Sequence, residues 1–299
     1  MTKEKNNGIA LALSAYIFWG VHPVYWKQLI NVPSGEILCH RIVWSFLFFV
    51  IVISTRKEWP ALIDKLKNSK NKFSIFAPAL LIGSNWGMYV WAVNAGYVVE
   101  TSLGYFISPL LSVFLGVFFL SEKLRTIQWI SIGIAAFGVI YTIVQLGTFP
   151  WIAIYLAGSW GLYGLLRKKS PLSSAEGLTL ETAVLTIPSL IYIAFITFSG
   201  TGAFLSDAKT TALLIGSGIM SGLPLMIFIA GARKIDLSLI GVLQYIYPTL
   251  LFLVGVYVYN EPVNEAKLTG FVFIWGALIL YSIDSANVFN RKRAAVEIE

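Results

Sequence analysis

Apolar runs of membrane-crossing length recur along the chain almost without pause, near residues 9–28, 35–54, 73–93, 101–120, 127–145, 149–166, 174–198, 210–230, 237–258 and 266–284. A helix needs about 20 such residues to cross a bilayer. The pattern therefore predicts ten membrane-spanning helices, with both termini on one side. The polar segments between the runs are short, which leaves no room for an extramembrane domain. The first run is too long for the apolar core of a cleaved signal and is read as a retained span.

Composition agrees with this reading. Of 299 residues, 57% are hydrophobic and 12% charged, whereas a soluble domain carries about 25% charged residues. The net charge is +7, and its placement tests the span count. With the N-terminus inside, eighteen of the 22 Lys and Arg fall in inner segments, and only Lys27, Arg41, Lys209 and Lys267 lie elsewhere. Cytoplasmic loops carry such an excess of basic residues, so the positive charge reports topology rather than a nucleic-acid partner. The expectation is a multi-pass protein of the cytoplasmic membrane, both termini cytoplasmic, either a monomer or a homodimer. Its partners are the bilayer and a small-molecule solute. A single cysteine, Cys39, allows no disulfide within the chain and no Cys-based metal site. No metal or cofactor is expected.

The chain also repeats itself. "YFISPLLSVFLGVFFLSEKL" (105–124) resembles "QYIYPTLLFLVGVYVYNEPV" (244–263), aligning Pro109 with Pro248, Gly116 with Gly255 and Glu122 with Glu261. Gly83, Gly87 and Gly96 fall on Gly218, Gly222 and Gly231; Trp19-Gly20 falls on Trp160-Gly161; Glu36 falls on Glu176. Two repeats result, 1–147 and 148–299. Five spans in each force the second copy to be inverted, which is the pattern of secondary transporters with a central site. "SEKLR" inside accordingly becomes "NEPVNE" outside, losing its basic residues but keeping the glutamate.

"AYIFWGVHPVYWKQL" followed by "EILCHRIVWS", together with the Pro…Gly…Glu pattern of each repeat, resembles the RarD group of the EamA drug/metabolite transporter superfamily. The resemblance covers nearly the whole chain. It implies an all-α, ten-helix carrier of two inverted five-helix repeats that moves small metabolites or drugs, often outward.

Depth along each helix, about 1.5 Å per residue, sorts the polar residues. His22 lies past the midplane of the first span, and Pro23 beside it should kink that helix. Glu36, His40 and Arg41 open the second span from outside, with Arg41 and Trp44 spaced for a cation–π contact. Arg41 either snorkels to the headgroups or faces a cavity as an anion site or gate. Glu181 takes the repeat position of Arg41 near the inner mouth, with no basic residue within one turn, and is a candidate for proton coupling or gating with His40 and Glu36. Its alternative is an acid favoured near a helix start. Glu122 and Glu261 read as structural. Asn85, Trp86, Tyr89, Tyr105, Trp160, Tyr163, Gln244, Tyr245 and Tyr247 converge near the midplane and, with His22, Arg41 and Trp44, form the expected binding set for an amphipathic or aromatic solute. Pro109 and Pro248, at matched depths, are candidate hinges beside Pro23.

An intramembrane enzyme acting on a lipid or small metabolite is the alternative class. The chain lacks HExxH, G-x-S-x-G, a Walker A loop and a paired-acid metal motif, the groups such chemistry requires. No repeated filter sequence or ring of like charge favours a channel.

Overall fold

The computed structural model describes residues 3–69, 72–147, 149–260 and 265–296. Glu261 lies outside them, so its expected likeness to Glu122 has no structural account. Among the described residues the chain forms twelve α-helices and no strand: α1 (Lys3–Trp26), α2 (Ser34–Thr55), α3 (Trp59–Asn68), α4 (Phe73–Asn94), α5 (Val98–Leu120), α6 (Thr126–Leu146), α7 (Trp151–Lys169), α8 (Ser174–Phe198), α9 (Ala208–Ala232), α10 (Leu237–Gln244), α11 (Ile246–Tyr259) and α12 (Glu265–Val296).

Seven stretches are long and apolar enough to cross a membrane, α10 and α11 counting together as one, and Leu268–Asp284 of α12 is a shorter apolar segment. The other two expected spans, α4 and α7, have 22 and 19 residues. Both supply side chains to the interior. Asn85 Nδ2 of α4 donates to the Leu156 carbonyl and to Ser159 Oγ of α7, both at 2.9 Å. The sequence reading missed α3. This short amphipathic helix seats Leu62 against Ile53, Ile75 and Leu172.

Local chemistry sets the helix ends. Ser173 and Glu176 form a reciprocal capping box on α8, and Asp207 caps α9 through the Thr210 N–H. The repeat appears in the backbone too. Ser121 ends α5 at φ 54°, with the following Glu122 N–H donating to the Gly116 carbonyl at 3.1 Å, and its repeat mate Asn260 ends α11 at φ 52°. Of the three expected hinge prolines, only Pro248 interrupts its helix. It cannot donate to the Gln244 carbonyl, and α10 ends at that residue. Around Pro23 and Pro109, α1 and α5 run on unbroken.

Helix packing follows a two-fold rule. Contacts of α1 with α9 and α11 are matched by those of α7 with α4 and α5, while α2–α9 is matched by α8–α4. The pairs α2–α8, α5–α10 and α6–α12 each join repeat-equivalent helices. Glycines set the crossings: a Cβ on Gly20 would lie 2.5 Å from Leu250, and one on Gly161 2.9 Å from Leu115 and 3.8 Å from Leu111.

One set of matched glycines breaks this symmetry. The near end of the bundle is the one where α1 starts; the far end is opposite. On α9, running to the near end, Gly218 lies against the Trp44 backbone, Gly222 against Phe48 and Phe49, and Gly231 against Gly8 and Ala12. On α4, running to the far end, Gly83 still meets Leu185, but a Cβ on Gly87, or on Gly96 just past the helix end, would meet no atom of the described residues within 4 Å. The α9 glycines are packed toward the near end, whereas on the α4 side the far end is parted. Gly218→Val should therefore destabilise the protein by about 1–3 kcal/mol, since the Trp44 backbone cannot yield. Gly87→Ala should be neutral or stabilising by up to about 1 kcal/mol. Thermal unfolding followed by tryptophan fluorescence checks both, and equal shifts in the two variants would contradict this packing.

Candidate functional site

Between α1, α4, α5 and α11 the bundle encloses a cavity of ≈ 640 Å³. Its lining runs from Tyr16, Trp19, Trp160 and Gln244 at mid-bundle to Trp26, Lys27 and Tyr259 at the far end. Trp19 and Trp160 close its floor edge to face at 5.7 Å between ring centroids, and Phe228 packs beneath both. Tyr105 and Tyr247 meet edge to face at 4.9 Å on the wall.

Arg41 faces this cavity rather than the membrane surface. Its Nε donates to Ser221 Oγ at 2.8 Å, and its guanidinium carbon lies 5.0 Å from the Trp26 ring centroid and 5.2 Å from that of Trp86. Two tryptophans thus hold it by cation–π attraction. The other lining cation, Lys27, sits at the mouth over the Tyr259 ring, 3.4 Å from its centroid. No carboxylate is among the lining residues described, and Arg41 makes no ion pair with any described residue. Two buried polar atoms on the lining also lack a hydrogen-bond partner among the described residues, His22 Nε2 and Gln244 Oε1. Buried polar groups are normally paired, so both are available to a polar group within the cavity.

Of the expected binding set, His22, Arg41, Asn85, Trp86, Tyr89, Tyr105, Trp160, Gln244 and Tyr247 line the cavity, as does Pro23. Trp44, Tyr163 and Tyr245 do not. Trp44 is turned from Arg41, donates to His40 Nδ1 at 3.2 Å and packs on Phe204, because α2 presses that face onto α9 at Gly218. Tyr245 is rotated about 100° from Gln244 and packs among Phe106, Phe271 and Ala277, its hydroxyl donating to the Phe106 carbonyl at 3.3 Å.

Glu36 and His40 also lie away from the cavity. Glu36 is fully buried, and its carboxylate accepts the Ala203 and Phe204 N–H groups at 2.8–2.9 Å, pinning the α8–α9 loop, with His40 Nε2 at 3.9 Å. Its repeat mate Glu176 does the equivalent at the near end, holding Lys65 of α3 at 2.7 Å. Each glutamate thus ties the second helix of one half to the following connection of the other.

Glu181 is not the isolated carboxyl expected. Its Oε2 accepts from the Tyr163 hydroxyl at 2.9 Å, and its Oε1 lies 3.3 Å from Arg167 Nε, with both charged residues 2% exposed. The sequence reading placed Arg167 in a loop. Instead α7 continues to Lys169, and the guanidinium folds over Gly177, where a Cβ would stand 1.9 Å from Nη1. Around this pair the near end is stitched between halves. Lys5–Asp236 at 2.8 Å, Glu4–Lys234 at 3.3 Å, Lys168–Glu122 at 3.6 Å and Arg125–Asp284 all cross from one half to the other. Glu122 also accepts the Leu237 and Ser238 N–H groups that open α10, at 2.6 and 2.8 Å.

Other lining residues escaped the sequence reading. Trp26 stands at the end of its span, where tryptophan is ordinary, and Ser221 carries no signal beyond its place beside Gly222. Trp19 appeared only as a landmark of the repeat.

Comparison with known proteins places this geometry. Residues 6–144 match the EamA-like transporter family. The chain is 42% identical to the transporter YojE of Bacillus subtilis (strain 168), over 93% of this chain and 94% of that one. It is 38% identical to protein RarD of Escherichia coli (strain K12), over 98% and 99%. It is 30% identical to the chloramphenicol-sensitive protein RarD of Pseudomonas aeruginosa, over 95% and 96%. A solved crystal structure superposes with a TM-score of 0.71 at 17% identity, covering 92% of this chain and 97% of that one, and shares the fold. The chain is a multi-pass membrane transporter and belongs to the RarD group of the EamA drug/metabolite transporter superfamily.

Proposed function

We propose that the protein is a secondary transporter that exports small amphipathic metabolites or drugs across the cytoplasmic membrane by alternating access. Its halves, 1–147 and 148–299, act as inverted repeats around the Arg41 cavity. The near end, rich in Lys and Arg, is cytoplasmic, so the cavity is open to the outside and sealed from within. The observation that carries this reading is the glycine mismatch. Gly222 and Gly231 are in contact at the near end, while their repeat mates Gly87 and Gly96 meet nothing within 4 Å at the far end. Two inverted halves that exchange these two packings move the opening from one side to the other.

The Arg167–Glu181–Tyr163 cluster belongs to the seal. It is the repeat mate of Arg41 with His22, buried while its counterpart is open to the cavity. Because Glu181 holds a buried guanidinium, Glu181→Gln should cost about 3–5 kcal/mol, the penalty for leaving one buried charge unpaired. Glu181→Gln/Arg167→Gln should recover most of that loss. A single variant as stable as the wild type, yet unable to use a proton gradient, would instead restore the coupling role.

Transport itself is tested by a lock. A Cβ on Gly8 would stand 2.7 Å from Lys234 Cβ and 2.7 Å from Ile235 Cγ2, so the two backbones must ease apart by about 1 Å to reach the roughly 3.8 Å of a disulfide. In a Cys39→Ser background, Gly8→Cys/Lys234→Cys should cross-link on oxidation, stop solute flux across proteoliposomes and recover on reduction. Undiminished flux through fully cross-linked protein would overturn the mechanism.

A further inference from the structure

We infer that the transported substrate is an organic monoanion, a carboxylate joined to an aromatic or similarly flat apolar body, with the carboxylate seated on Arg41. This rests on the carrier reading above and names its cargo. The cavity's charge is one-sided: Arg41 lies within it and Lys27 at its mouth, and no carboxylate lines it among the described residues. Arg41 is also held in place before anything binds. Ser221 fixes its Nε at 2.8 Å, and Trp26 and Trp86 lie 5.0 and 5.2 Å from its guanidinium carbon. What remains for a ligand is the pair of terminal amino groups, the edge that grips a carboxylate with two parallel hydrogen bonds.

A guanidinium enclosed by aromatic walls and left without a counter-ion is costly, and an entering anion relieves that cost. One fixed cation balances one negative charge. Lys27 is engaged by the Tyr259 ring at the mouth, which disfavours a dianion such as a phosphate monoester. The rest of the lining describes the body of the solute. Trp19, Trp86, Trp160, Tyr105 and Tyr247 present ring faces and edges. His22 Nε2 and Gln244 Oε1, on residues 8% and 4% exposed, lack partners among the described residues and await a polar substituent. At ≈ 640 Å³ the space accommodates a solute of one or two rings. The near-end counterpart, with Glu181 in Arg41's repeat position, carries the opposite charge but is already neutralised by Arg167, so it offers no competing cation site in this conformation.

The test is a matched series that differs only in charge: 3-phenylpropionate, 3-phenylpropanamide and 3-phenylpropylamine. Each is titrated into purified protein in nanodiscs and followed by calorimetry and by quenching of the cavity tryptophans. The carboxylate should bind at least about tenfold more tightly than the amide, and the amine should be weaker still. Arg41→Gln should abolish the preference for carboxylate over amide while keeping amide binding, and Arg41→Lys should retain only part of it. Equal affinities for carboxylate and amide in the wild type would overturn the assignment. So would tighter binding of the amine, failure of the carboxylate to bind at about 5 mM, or a preference that survives in Arg41→Gln. Should Arg41→Gln not fold, the wild-type series decides alone, with Ser221→Ala expected to weaken the carboxylate more than the amide. Flux in proteoliposomes separates the two readings. Carboxylate binding without flux would refute the carrier and leave the anion site standing, whereas flux of neutral solutes with no carboxylate preference would do the reverse.

Discussion

How closely two helix backbones can approach decides the shape of this protein at every level. Inside a bilayer the backbone must satisfy its own hydrogen bonds, so the chain is committed to helices, and packing between them replaces water exclusion as the force that joins them. Close crossings therefore need positions without a side chain. Gly218 admits the Trp44 backbone, Gly231 admits Gly8, and Gly20 and Gly161 admit leucines of the opposite half. Under the proposed cycle, the same inventory of glycines, placed twice along the chain, allows either end of the bundle to close. In the structure Gly222 and Gly231 are in contact and their repeat mates Gly87 and Gly96 are not.

Polar groups divide along the same line. At the near end charges are matched: Arg167 with Glu181, Lys168 with Glu122, Lys5 with Asp236, Lys65 with Glu176. The exposed members of this set contribute about 0–1 kcal/mol each, small enough for a transporter to break them in every cycle. In the cavity the opposite holds. Arg41 has no acid, and His22 Nε2 and Gln244 Oε1 have no partner among the described residues. The contrast is one of charge: the near end pairs its buried guanidinium with a carboxylate, and the cavity does not.

Much of this was legible in the sequence because it depends on periodicity and on charge counted over long stretches. Apolar runs mark the spans, basic residues their orientation, and matched Pro, Gly and Glu positions the repeat. Nine of the twelve expected binding residues line one cavity for the same reason, since depth along a helix follows from counting. Rotation about a helix does not. Trp44, Tyr163 and Tyr245 stand at suitable depths but face neighbouring helices, and nothing in a single sequence separates them from Trp86 or Tyr247. Glu181 was misjudged in its isolation. Its partner Arg167 lies on the next helix inward, so a search of one helical turn on its own span could not find it. Helix α3 was hidden because ten residues with four charges or amides read as a loop until Leu62 is seen buried.

The central claim is reciprocal motion of the two ends, and distances between spin labels measure it most directly. In a Cys39→Ser background, one pair at Tyr97 and Phe198 spans the far end and another at Arg56 and Lys234 spans the near end. Gly222→Leu cannot pack on Phe48 and Phe49 as the glycine does, and so should shift the near-end pair to a longer distance. The account predicts that the same substitution shortens the far-end distance. A near end that opens while the far end stays unchanged would contradict it.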